Sequence, residues 1–420
     1  MGQALTQNRA IGQMPYRRRF LGMSALERHE ERRLWALIAA LTPAVAALPQ
    51  GPARQVLQLL LGLLSIYATS LRLVVLPALT AVNPANKNRL IDSWTDEECW
   101  HLLRFRRADL HRLFVALQIP AVVVCPNRTS CPGEHALCLM LYRLAYPTRL
   151  VTLQNVFGRE LTALSRIFQT IIEIVSTAHS FRVKDISFFR NRFDIYNETI
   201  RRKIASVPMN PAPGTVPLNL NPVFAFLDGT YLEIARPHGH GNMQNAFYNK
   251  YKKKHCLLWQ GVSFPDGMTI VDGPHPGFNT DIMGWRDAQM RQDLAAIMQQ
   301  RLAAGQPGLK LYADKMYNTS LLVVGAYNRR YGNIIQPWMR INNGIMSRIR
   351  VGIEWAFGSI ITINKYIAFA PGQKLQENRT LKDYYYVGVL VSNCRCCFYG
   401  ASPQLGYFDL RAPTINDYLV

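Results

Sequence analysis

The fold of this chain is decided by the stretch Phe224-Ala225-Phe226-Leu227-Asp228-Gly229-Thr230. Its apolar run predicts a buried strand, and that run ends at an acid. A second apolar run, over residues 309–313, also ends at an acid, Asp314. A third acid, Glu354, lies in a segment over residues 351–358 whose pattern predicts a helix. Two acids at strand ends and a third on a later helix are the layout of a metal-dependent phosphoryl-transfer site.

Each acid also has an ordinary structural interpretation. The pair Asp228-Gly229 is typical of a hairpin turn. Asp314 is placed to cap a helix, and Glu354 is placed to pair with Arg350 one turn earlier. Three converging carboxylates, in contrast, raise one another's pKa or bind cations. Oxygen ligands favour Mg²⁺ or Mn²⁺, and two such ions stabilise both the attacking and the leaving oxygen of a phosphodiester. The three acids together therefore predict a catalytic metal site.

The region around the acids, over residues 223–400, is predicted to be β-rich. Apolar runs separated by turn residues, such as Pro265-Asp266-Gly267, predict short strands joined by hairpins. The expected strands cover residues 224–228, 231–236, 256–264 and 268–272, and the expected helices cover residues 281–298 and 345–360. The second of these strands is expected to return as the hairpin partner of the first. A proline-rich linker over 207–222 precedes this region, and a tail over 401–420 follows it.

Basic and aromatic side chains are interleaved over residues 248–255. On a strand edge this stretch would grip a DNA backbone, because lysines neutralise phosphates and aromatic rings stack on bases. The candidate DNA contacts are Lys250, Lys252, Lys253 and Lys254, together with Arg348 and Arg350 near Glu354. A solvated loop is the alternative interpretation of the lysines.

The composition limits the classes of protein to which the chain belongs. Its 420 residues, of which 49% are hydrophobic, are enough for two or three domains. Its formal net charge of +21 indicates a polyanionic partner, either nucleic acid or an acidic membrane surface. The eight cysteines lack the density of a secreted disulfide scaffold, which indicates reduced thiols in an intracellular protein. The potential zinc ligands Cys125, Cys131, His135 and Cys138 fit no standard finger, so buried core cysteines are favoured over a zinc site.

Residues 1–90 are predicted as a variable helical region. Their apolar run over residues 56–82 approaches the length of a membrane span. Gln58, Arg72 and Pro77 interrupt this run, which favours buried helices over a span. A function as a membrane-associated basic protein therefore rests on residues 34–82 alone.

Residues 91–206 are predicted as a helical DNA-binding region. A helix-turn-helix is predicted near residues 149–175, where a short helix, a turn at Gly158 and a long helix follow one another. The exposed face of the long helix would present Arg166 to a DNA groove or a phosphate. An ordinary helical hairpin is the alternative.

Several of these segments, taken together, resemble the PIF/Harbinger-type DDE transposases over about residues 100–420. The segments that carry the likeness are Phe226–Thr230, Ala246–His255, Gln260–Val262, Pro265–Gly267, Ala313–Tyr317, Arg350–Gly358, Asn393–Gly400 and Pro413–Leu419. The chain departs from the family pattern at Thr280, where the family often has a histidine before the acid at Asp281. It departs again at Met316, where the family usually has a small residue.

The resemblance implies an α/β fold class, with a ribonuclease-H-like mixed-sheet nuclease domain behind an all-α region that contains the helix-turn-helix. It places the catalytic, metal-binding acids at Asp228, Asp314 and Glu354, with Asp281 as a further candidate metal ligand. The implied cofactor is a pair of divalent ions, Mg²⁺ or Mn²⁺. The implied activity is the cutting and joining of double-stranded DNA at transposon ends and at a target.

Partners and location follow from the same resemblance. A Myb-like accessory DNA-binding protein is implied, a homodimer is left open, and the nucleus is the expected compartment. The alternative function is that of a domesticated, non-catalytic nuclear DNA-binding protein derived from such a transposase. The complete set of three acids favours the enzyme over this alternative.

Overall fold

The computed structural model of the protein describes residues 25–49, 51–73, 94–208, 216–238, 241–329, 334–375 and 381–419. These residues fall into two compact units. The first unit contains the described residues of 1–88 and 148–159, and the second contains those of 89–147 and 160–420. Residues 209–215 of the predicted proline-rich linker lie outside the described residues.

The described elements form a mixed α/β fold, in agreement with the predicted class. The helices are α1 (Ala25–Ala46), α2 (Pro52–Leu73), α3 (Asp96–Leu103), α4 (Arg107–Ala116), α5 (Gly133–Ala145), α6 (Leu150–Phe157), α7 (Leu161–His179), α8 (Phe193–Ala205), α9 (Asn242–Phe247), α10 (Asp281–Asp287), α11 (Gln289–Ala303), α12 (Pro337–Ile363), α13 (Leu381–Tyr399), α14 (Pro403–Phe408) and α15 (Ile415–Leu419). The strands are β1 (Val122–Val124), β2 (Ser130–Pro132), β3 (Val223–Glu233), β4 (Tyr248–Asn249), β5 (Lys254–Ser263), β6 (Thr269–Pro276), β7 (Lys310–Ala313) and β8 (Val323–Gly325).

The first unit contains the helix pair α1 and α2, which pack against each other. On α2, however, the apolar side chains of Leu59 and Leu63 are 69% and 61% exposed. The prediction of buried helices over residues 56–82 is therefore wrong for this part of α2, and residues 74–82 lie outside the described residues. Within the described ranges, no helix combines the length and the apolar character that crossing a membrane requires.

The second unit is built around a mixed sheet in which β3 is central. On one side β3 pairs antiparallel with β5, and β5 pairs antiparallel with β6 and, near its start, with β4. On the other side β3 pairs parallel with β7, which in turn pairs parallel with β8. The sheet order is therefore β6, β5, β3, β7, β8, with β4 beside the beginning of β5.

The central strand differs from its prediction. The expected hairpin between residues 224–228 and 231–236 is wrong, because β3 runs without a turn from Val223 to Glu233. Residues 223–227 are all buried, and both α8 and α12 pack against this strand. Since successive strand residues point to opposite faces, an unbroken buried run shows that both faces of the sheet are covered here.

Other predicted elements around the sheet are confirmed or adjusted. The strands β5 and β6 pair across the Pro265-Asp266-Gly267 turn, as predicted. The helix expected over 281–298 is instead two helices, α10 and α11, because the backbone is extended at Ala288. The helix expected over 345–360 is longer, since α12 begins at Pro337, a residue that is favourable in a first helical turn.

The helices before the sheet show the predicted apolar stripes. Helices α5 and α7 pack against each other. The predicted inward-facing residues are all buried, and they are Leu137, Met140, Leu141, Leu144, Leu164, Ile167, Phe168, Ile171 and Ile172. The small hairpin of β1 and β2 has no counterpart among the predicted elements, because three-residue strands are too short to show a period.

None of the eight cysteines, all of which the structure describes, forms a disulfide, and all of them except Cys397 are buried. Burial raises the pKa of the Cys138 thiol well above its usual range. These observations support the core interpretation of Cys125, Cys131, His135 and Cys138.

A buried ionic cluster holds the β5–β6 turn against the neighbouring helix. Asp266 is fully buried in that turn and accepts a hydrogen bond from the Tyr196 hydroxyl of α8 at 2.5 Å. It also pairs with Arg192 at 2.9 Å. Burial raises the pKa of Asp266, and the Arg192 guanidinium opposes the rise. Because a buried carboxylate depends on such partners, the cluster fixes the turn to the start of α8.

We expect Asp266→Asn to lower the free energy of unfolding by about 3 kcal/mol, because Arg192 would face a neutral amide in a buried cluster. Urea denaturation followed by circular dichroism measures the change. Asp287→Asn is the matched control, since Asp287 is exposed and pairs with the exposed Arg286. A surface pair of that kind contributes little to stability, because solvent screens its charges and its side chains lose conformational freedom on pairing. Equal losses in both variants would contradict a stabilising role for the buried cluster.

Candidate active site

The register of two parallel strands brings Asp228 and Asp314 together. β3 and β7 pair so that Leu227 lies opposite Ala313. Asp228 is the next residue on β3, and Asp314 directly follows β7. The two acids therefore occupy adjacent positions, with their backbones separated by about one strand spacing of ~4.8 Å.

Backbone N–H groups orient both carboxylates. The Gly229 N–H donates to Asp228 Oδ1 at 2.9 Å, and the Met316 N–H donates to Asp314 Oδ1 at 2.6 Å. The hairpin interpretation of Asp228-Gly229 is wrong, because both residues lie inside β3. Asp314 caps a short turn at the end of its strand and does not cap a helix.

Asp281 adds a third carboxylate at the first residue of α10. Thr280 caps this helix, since its hydroxyl accepts a hydrogen bond from the Met283 N–H at 3.4 Å. The carboxylate lies against Gly229, where an added Cβ would be 2.3 Å from Asp281 Oδ1. That oxygen is buried and has no hydrogen-bond partner among the described residues. A buried carboxylate oxygen without a donor is suited to a cation.

A buried glutamine connects the helix of Asp281 to the turn of Asp314. Gln260 of β5 is fully buried, and its Nε2 donates to the backbone carbonyl of Asp281 at 3.1 Å. Its Oε1 accepts a hydrogen bond from the Tyr317 hydroxyl at 2.8 Å. Tyr317 is buried and lies three residues after Asp314. Gln260 therefore fixes the spacing between the two segments that carry these acids.

The three aspartates act on one another electrostatically. Burial raises the pKa of Asp228 to about 6; Arg350 opposes the rise, and the carboxylates of Asp314 and Asp281 add to it. Burial also raises the pKa of Asp281; the Tyr231 hydroxyl opposes the rise, and Asp314 adds to it. Burial and then these same three carboxylates raise the pKa of Tyr317. Since like charges at short range disfavour ionisation, the three aspartates form one electrostatic cluster.

Glu354 is joined to this cluster through Arg350. The guanidinium donates from Nη2 to Glu354 Oε1 at 2.8 Å and from Nη1 to Asp228 Oδ2 at 3.1 Å. The predicted ion pair between Glu354 and Arg350 is thus confirmed, and Arg350 pairs with Asp228 as well. In the part of the chain that the structure describes, no three acids, histidines or cysteines form a cage for a metal ion. Arg350 therefore lies between two of the predicted ligands, Asp228 and Glu354, and the assignment of the three acids as metal ligands stays a prediction.

The packing of α12 on the sheet sets the position of Glu354. Phe357, one turn later on this helix, packs on Gly261, where an added Cβ would be 2.5 Å from the phenyl Cζ. Gly261 is the residue of β5 that lies opposite Asp228. The close approach of ring and backbone therefore places this part of α12 beside the strand position of Asp228.

A buried side chain from α14 supports the same contact. Gln404 is fully buried, and its Nε2 donates to the Gly352 carbonyl of α12 and to Ser263 Oγ of β5, each at 2.7 Å. One amide group thus ties α12 to the sheet two residues before Glu354.

The predicted lysine contacts lie at the turn between β4 and β5. Lys250, Lys252 and Lys253 are exposed in this turn. Lys254 is the first residue of β5 and pairs with Glu233 of β3. The interleaved stretch therefore stands at a strand edge, as the sequence predicts, with one of its four lysines held by an acid.

The lysine turn is anchored beside the acids. The Lys252 N–H donates to Asn249 Oδ1 at 2.8 Å, and Asn249 Nδ2 donates to the Gly277 carbonyl at 2.8 Å. Burial is the main influence on the pKa of Asp281, and the positive charge of Lys252 opposes the resulting rise. Lys252 is therefore close enough to act on the aspartate cluster.

Two further predicted DNA contacts are exposed. Arg348 lies on α12 two residues before Arg350, and Arg166 lies on α7. The helix before α7 is α6, which ends at Gly158 with a left-handed φ of 60°. Since α6 belongs to the first compact unit and α7 to the second, the helix-turn-helix stays a prediction.

The side chains that a divalent cation needs are present. Asp228, Asp314 and Asp281 offer hard oxygen ligands, and Asp281 Oδ1 is buried without a donor. A cation would offset the repulsion that contributes to the raised pKa of Asp228. The side chain of Glu354 is 56% exposed and would be able to join these ligands once it leaves Arg350.

Two features of the site have no counterpart in the sequence prediction. They are the bridge of Gln260 and Tyr317 and the ion pair of Arg350 with Asp228. Gln260 and Tyr317 do lie in segments that carry the family resemblance, and this position was the one indication in the sequence that they belong to the site. Their contacts depend on the packing of α10 and the Asp314 turn over β5, which no local pattern reveals.

Part of the chain matches a known protein family. Residues 227–390 match the DDE superfamily endonucleases (DDE_Tnp_4), and this segment includes Asp228, Asp281, Asp314 and Glu354. Neither the curated proteins nor the solved structures contain a match to the chain. Over this segment the chain is similar to transposase-like nucleases, a family that acts on DNA and generally uses divalent metal ions.

We expect Gly229→Ala to lower the free energy of unfolding by about 1–3 kcal/mol, because its methyl group would overlap Asp281 Oδ1. Adding Asp281→Ala should recover most of the loss, since it removes the overlapping carboxylate. Gly358→Ala on α12 is the control: nothing lies within 4 Å of its added Cβ, and alanine is favoured in a helix by up to about 1 kcal/mol. Chemical denaturation compares the variants. A double variant as unstable as Gly229→Ala would argue against this contact.

Proposed function

We propose that this chain is a DDE transposase-type endonuclease of the PIF/Harbinger kind, which cuts and joins DNA phosphodiesters at transposon ends with two divalent metal ions. The observation that carries the proposal is the placement of Asp228 and Asp314 on neighbouring parallel strands, inside the segment that matches the DDE superfamily endonucleases. Mg²⁺ or Mn²⁺ is the proposed cofactor, because the ligands on offer are carboxylate oxygens.

The proposal includes a ribonuclease-H-like nuclease domain. The strand order β6, β5, β3, β7, β8, in which β5 is antiparallel to both neighbours, supports this assignment. The crossover from β6 to β7 through α10 and α11, and the later acidic helix α12, support it as well. The proposed DNA-binding region is the helical part before the sheet, with Arg166 on its exposed surface.

In this proposal Asp228, Asp314 and Glu354 hold the metal ions, and Asp281 adds a ligand from the start of α10. The bound ions supply an activated water and stabilise the leaving oxygen. Burial raises the pKa of Asp228 to about 6, and a bound cation would lower it by favouring the charged carboxylate. Gln260 keeps the start of α10 at a fixed distance from the Asp314 turn, so that the ligands are positioned before substrate arrives.

The lysine turn supplies a path for the DNA backbone toward the acids. Lys250, Lys252 and Lys253 are exposed, and Lys252 acts on Asp281 electrostatically. Arg348 is a further proposed DNA contact, exposed on α12. Lysines and arginines around a cluster of acids counteract the repulsion between those acids and the phosphates of the substrate.

A Myb-like accessory DNA-binding protein, a homodimer and a nuclear location complete the proposal, and they rest on the family resemblance. The second candidate function is that of a domesticated, non-catalytic DNA-binding protein. The observation that favours it is the ion pairing of Asp228 and Glu354 with Arg350, which neutralises two of the acids without a metal.

We expect Asp228→Asn, Asp314→Asn and Glu354→Gln each to reduce DNA cleavage by at least about 100-fold, because each change removes one ligand charge and keeps the side-chain shape. The triple variant should be little worse than a single one, since the acids act as a unit. Nicking of a labelled element-end duplex with Mg²⁺, with Mn²⁺ and with chelator measures the effect.

Asp409→Asn is the control for this series, because Asp409 is an exposed acid outside the cluster, and asparagine tolerates its left-handed backbone. DNA binding should stay nearly unchanged in every variant. Cleavage that persists in chelator, or in all three single variants, would falsify the acid assignment. If the wild type binds DNA but never cuts it, with or without a Myb-like partner, the domesticated function is favoured.

We expect the double variant Lys252→Gln/Lys253→Gln to bind duplex DNA more weakly and with a shallower salt dependence. The slope of log affinity against log salt should fall by about 0.9 for each phosphate that the variant no longer neutralises. The matched control is Lys365→Gln/Lys382→Gln, which removes the same charge from exposed positions outside the lysine turn. Titrations at several salt concentrations test this. The same change of slope in both variants would mean that the lysine turn makes no specific phosphate contacts.

A further inference from the structure

Arg350 holds two of the proposed ligand acids at once. Its Nη1 lies 3.1 Å from Asp228 Oδ2, and its Nη2 lies 2.8 Å from Glu354 Oε1. The two contacts link β3 to α12, and the helical spacing of four residues places Arg350 and Glu354 side by side. The side chain of Arg350 is 22% exposed, so the guanidinium lies at the rim of the acid cluster and is open to solvent.

A divalent cation would compete with Arg350 for the same oxygens. In the proposed function both Asp228 and Glu354 are metal ligands, yet the guanidinium occupies one oxygen of each. A metal ion and a guanidinium would also repel each other at this short distance. The two acids are therefore available together to a metal only after Arg350 has moved away.

The departing guanidinium needs another anion, because a partly buried charge without a partner is unfavourable. Within the described residues, the acids that form ion pairs with Arg350 are Asp228 and Glu354, and no other carboxylate does so. A DNA phosphate fits the vacated role, since guanidinium groups bind phosphate through two parallel hydrogen bonds. The exposed lysine turn, whose Lys252 acts on Asp281, would bring the backbone to this rim.

We infer that Arg350 is a positioning residue that exchanges partners, pairing with Asp228 and Glu354 in the free protein and with a DNA phosphate in the complex. The inference rests on the proposed function and adds to it an order of events, in which DNA binding completes the metal site. Linkage then requires that DNA and metal strengthen each other's binding by the same factor.

The test measures Mn²⁺ binding by electron paramagnetic resonance, with and without a short mixed-sequence DNA duplex. This duplex lacks transposon ends and serves only as a source of backbone phosphates. For the wild type we expect the duplex to tighten Mn²⁺ binding by about tenfold. For Arg350→Gln we expect Mn²⁺ binding without DNA that is about tenfold tighter than in the wild type, with little further effect of the duplex.

Arg340→Gln is the matched control, because Arg340 is an exposed arginine on the same helix and the substitution removes the same charge. It should keep the full effect of the duplex. A simple loss of positive charge would strengthen metal binding in Arg350→Gln while leaving the duplex effect intact, so the duplex effect separates the two explanations. The melting temperature in chelator gives an independent readout: it should fall in Arg350→Gln, because two acids lose their counter-charge, and recover with Mn²⁺.

The outcomes are distinguishable. If Arg350→Gln binds Mn²⁺ but retains the wild-type duplex effect, the partner exchange is overturned and the metal site stands. If neither protein binds Mn²⁺ even with DNA, the proposed function fails and the inference fails with it. Arg350→Lys is a second variant for the case that Arg350→Gln does not fold, which circular dichroism would reveal. It keeps the charge but has no second nitrogen to hold both acids, so its duplex effect should be smaller than that of the wild type.

Discussion

The repulsion between carboxylates that the sheet forces together is the constraint on which the rest of the site depends. The parallel register of β3 and β7 makes Asp228 and Asp314 neighbours whatever their charge. Two such charges about 5 Å apart repel by roughly 3 kcal/mol at an effective dielectric near 20. Three kinds of neighbouring group offset this repulsion: backbone N–H donors, the guanidinium of Arg350 and the nearby charge of Lys252.

Close packing around small residues makes the cluster geometrically possible. Gly229 leaves room for the Asp281 carboxylate, and Gly261 leaves room for the ring of Phe357. Both glycines lie inside strands, where a glycine is usually unfavourable. Their presence is explained by what approaches them, an acid in one case and the acid-bearing helix in the other. Because neither position carries a side chain, the acid and the acid-bearing helix contact the sheet backbone directly.

The sequence predicted those features that follow from local periodicity. The apolar run before Asp228, the β5–β6 hairpin and the inward stripes of α5 and α7 are all confirmed. The predictions that were wrong concern residues where contacts with distant parts of the chain override the local preference for a turn or a strand. Asp228-Gly229 has the composition of a turn, but pairing with β5 on one side and β7 on the other keeps β3 extended through it. The link between Arg350 and Asp228 spans strands and helix, so it was visible only once they were assembled.

The acids themselves could be proposed from the sequence because each follows or lies within a recognisable element. Their relation to one another could not, since the register of β3 against β7 joins residues far apart in the chain. The role of Gln260 could not be predicted either. In the sequence it is an ordinary strand residue, and only its two hydrogen bonds show that it links the segments of Asp281 and Asp314. Local patterns therefore located the candidate chemistry, whereas the spacing of its parts came from packing.

The support that Gln404 gives to α12 determines which mutations would inactivate a gene that encodes this protein. A premature stop codon just after Gly400 would spare every acid of the site, and a survey for intact acids would count the copy as functional. The shortened product would nevertheless lose the amide that ties α12 to β5. It would also lose Tyr418, a fully buried residue whose hydroxyl accepts a hydrogen bond from Asn393. The codons for Gln404 and Tyr418 are thus as informative about the fate of a gene copy as the codons of its acids.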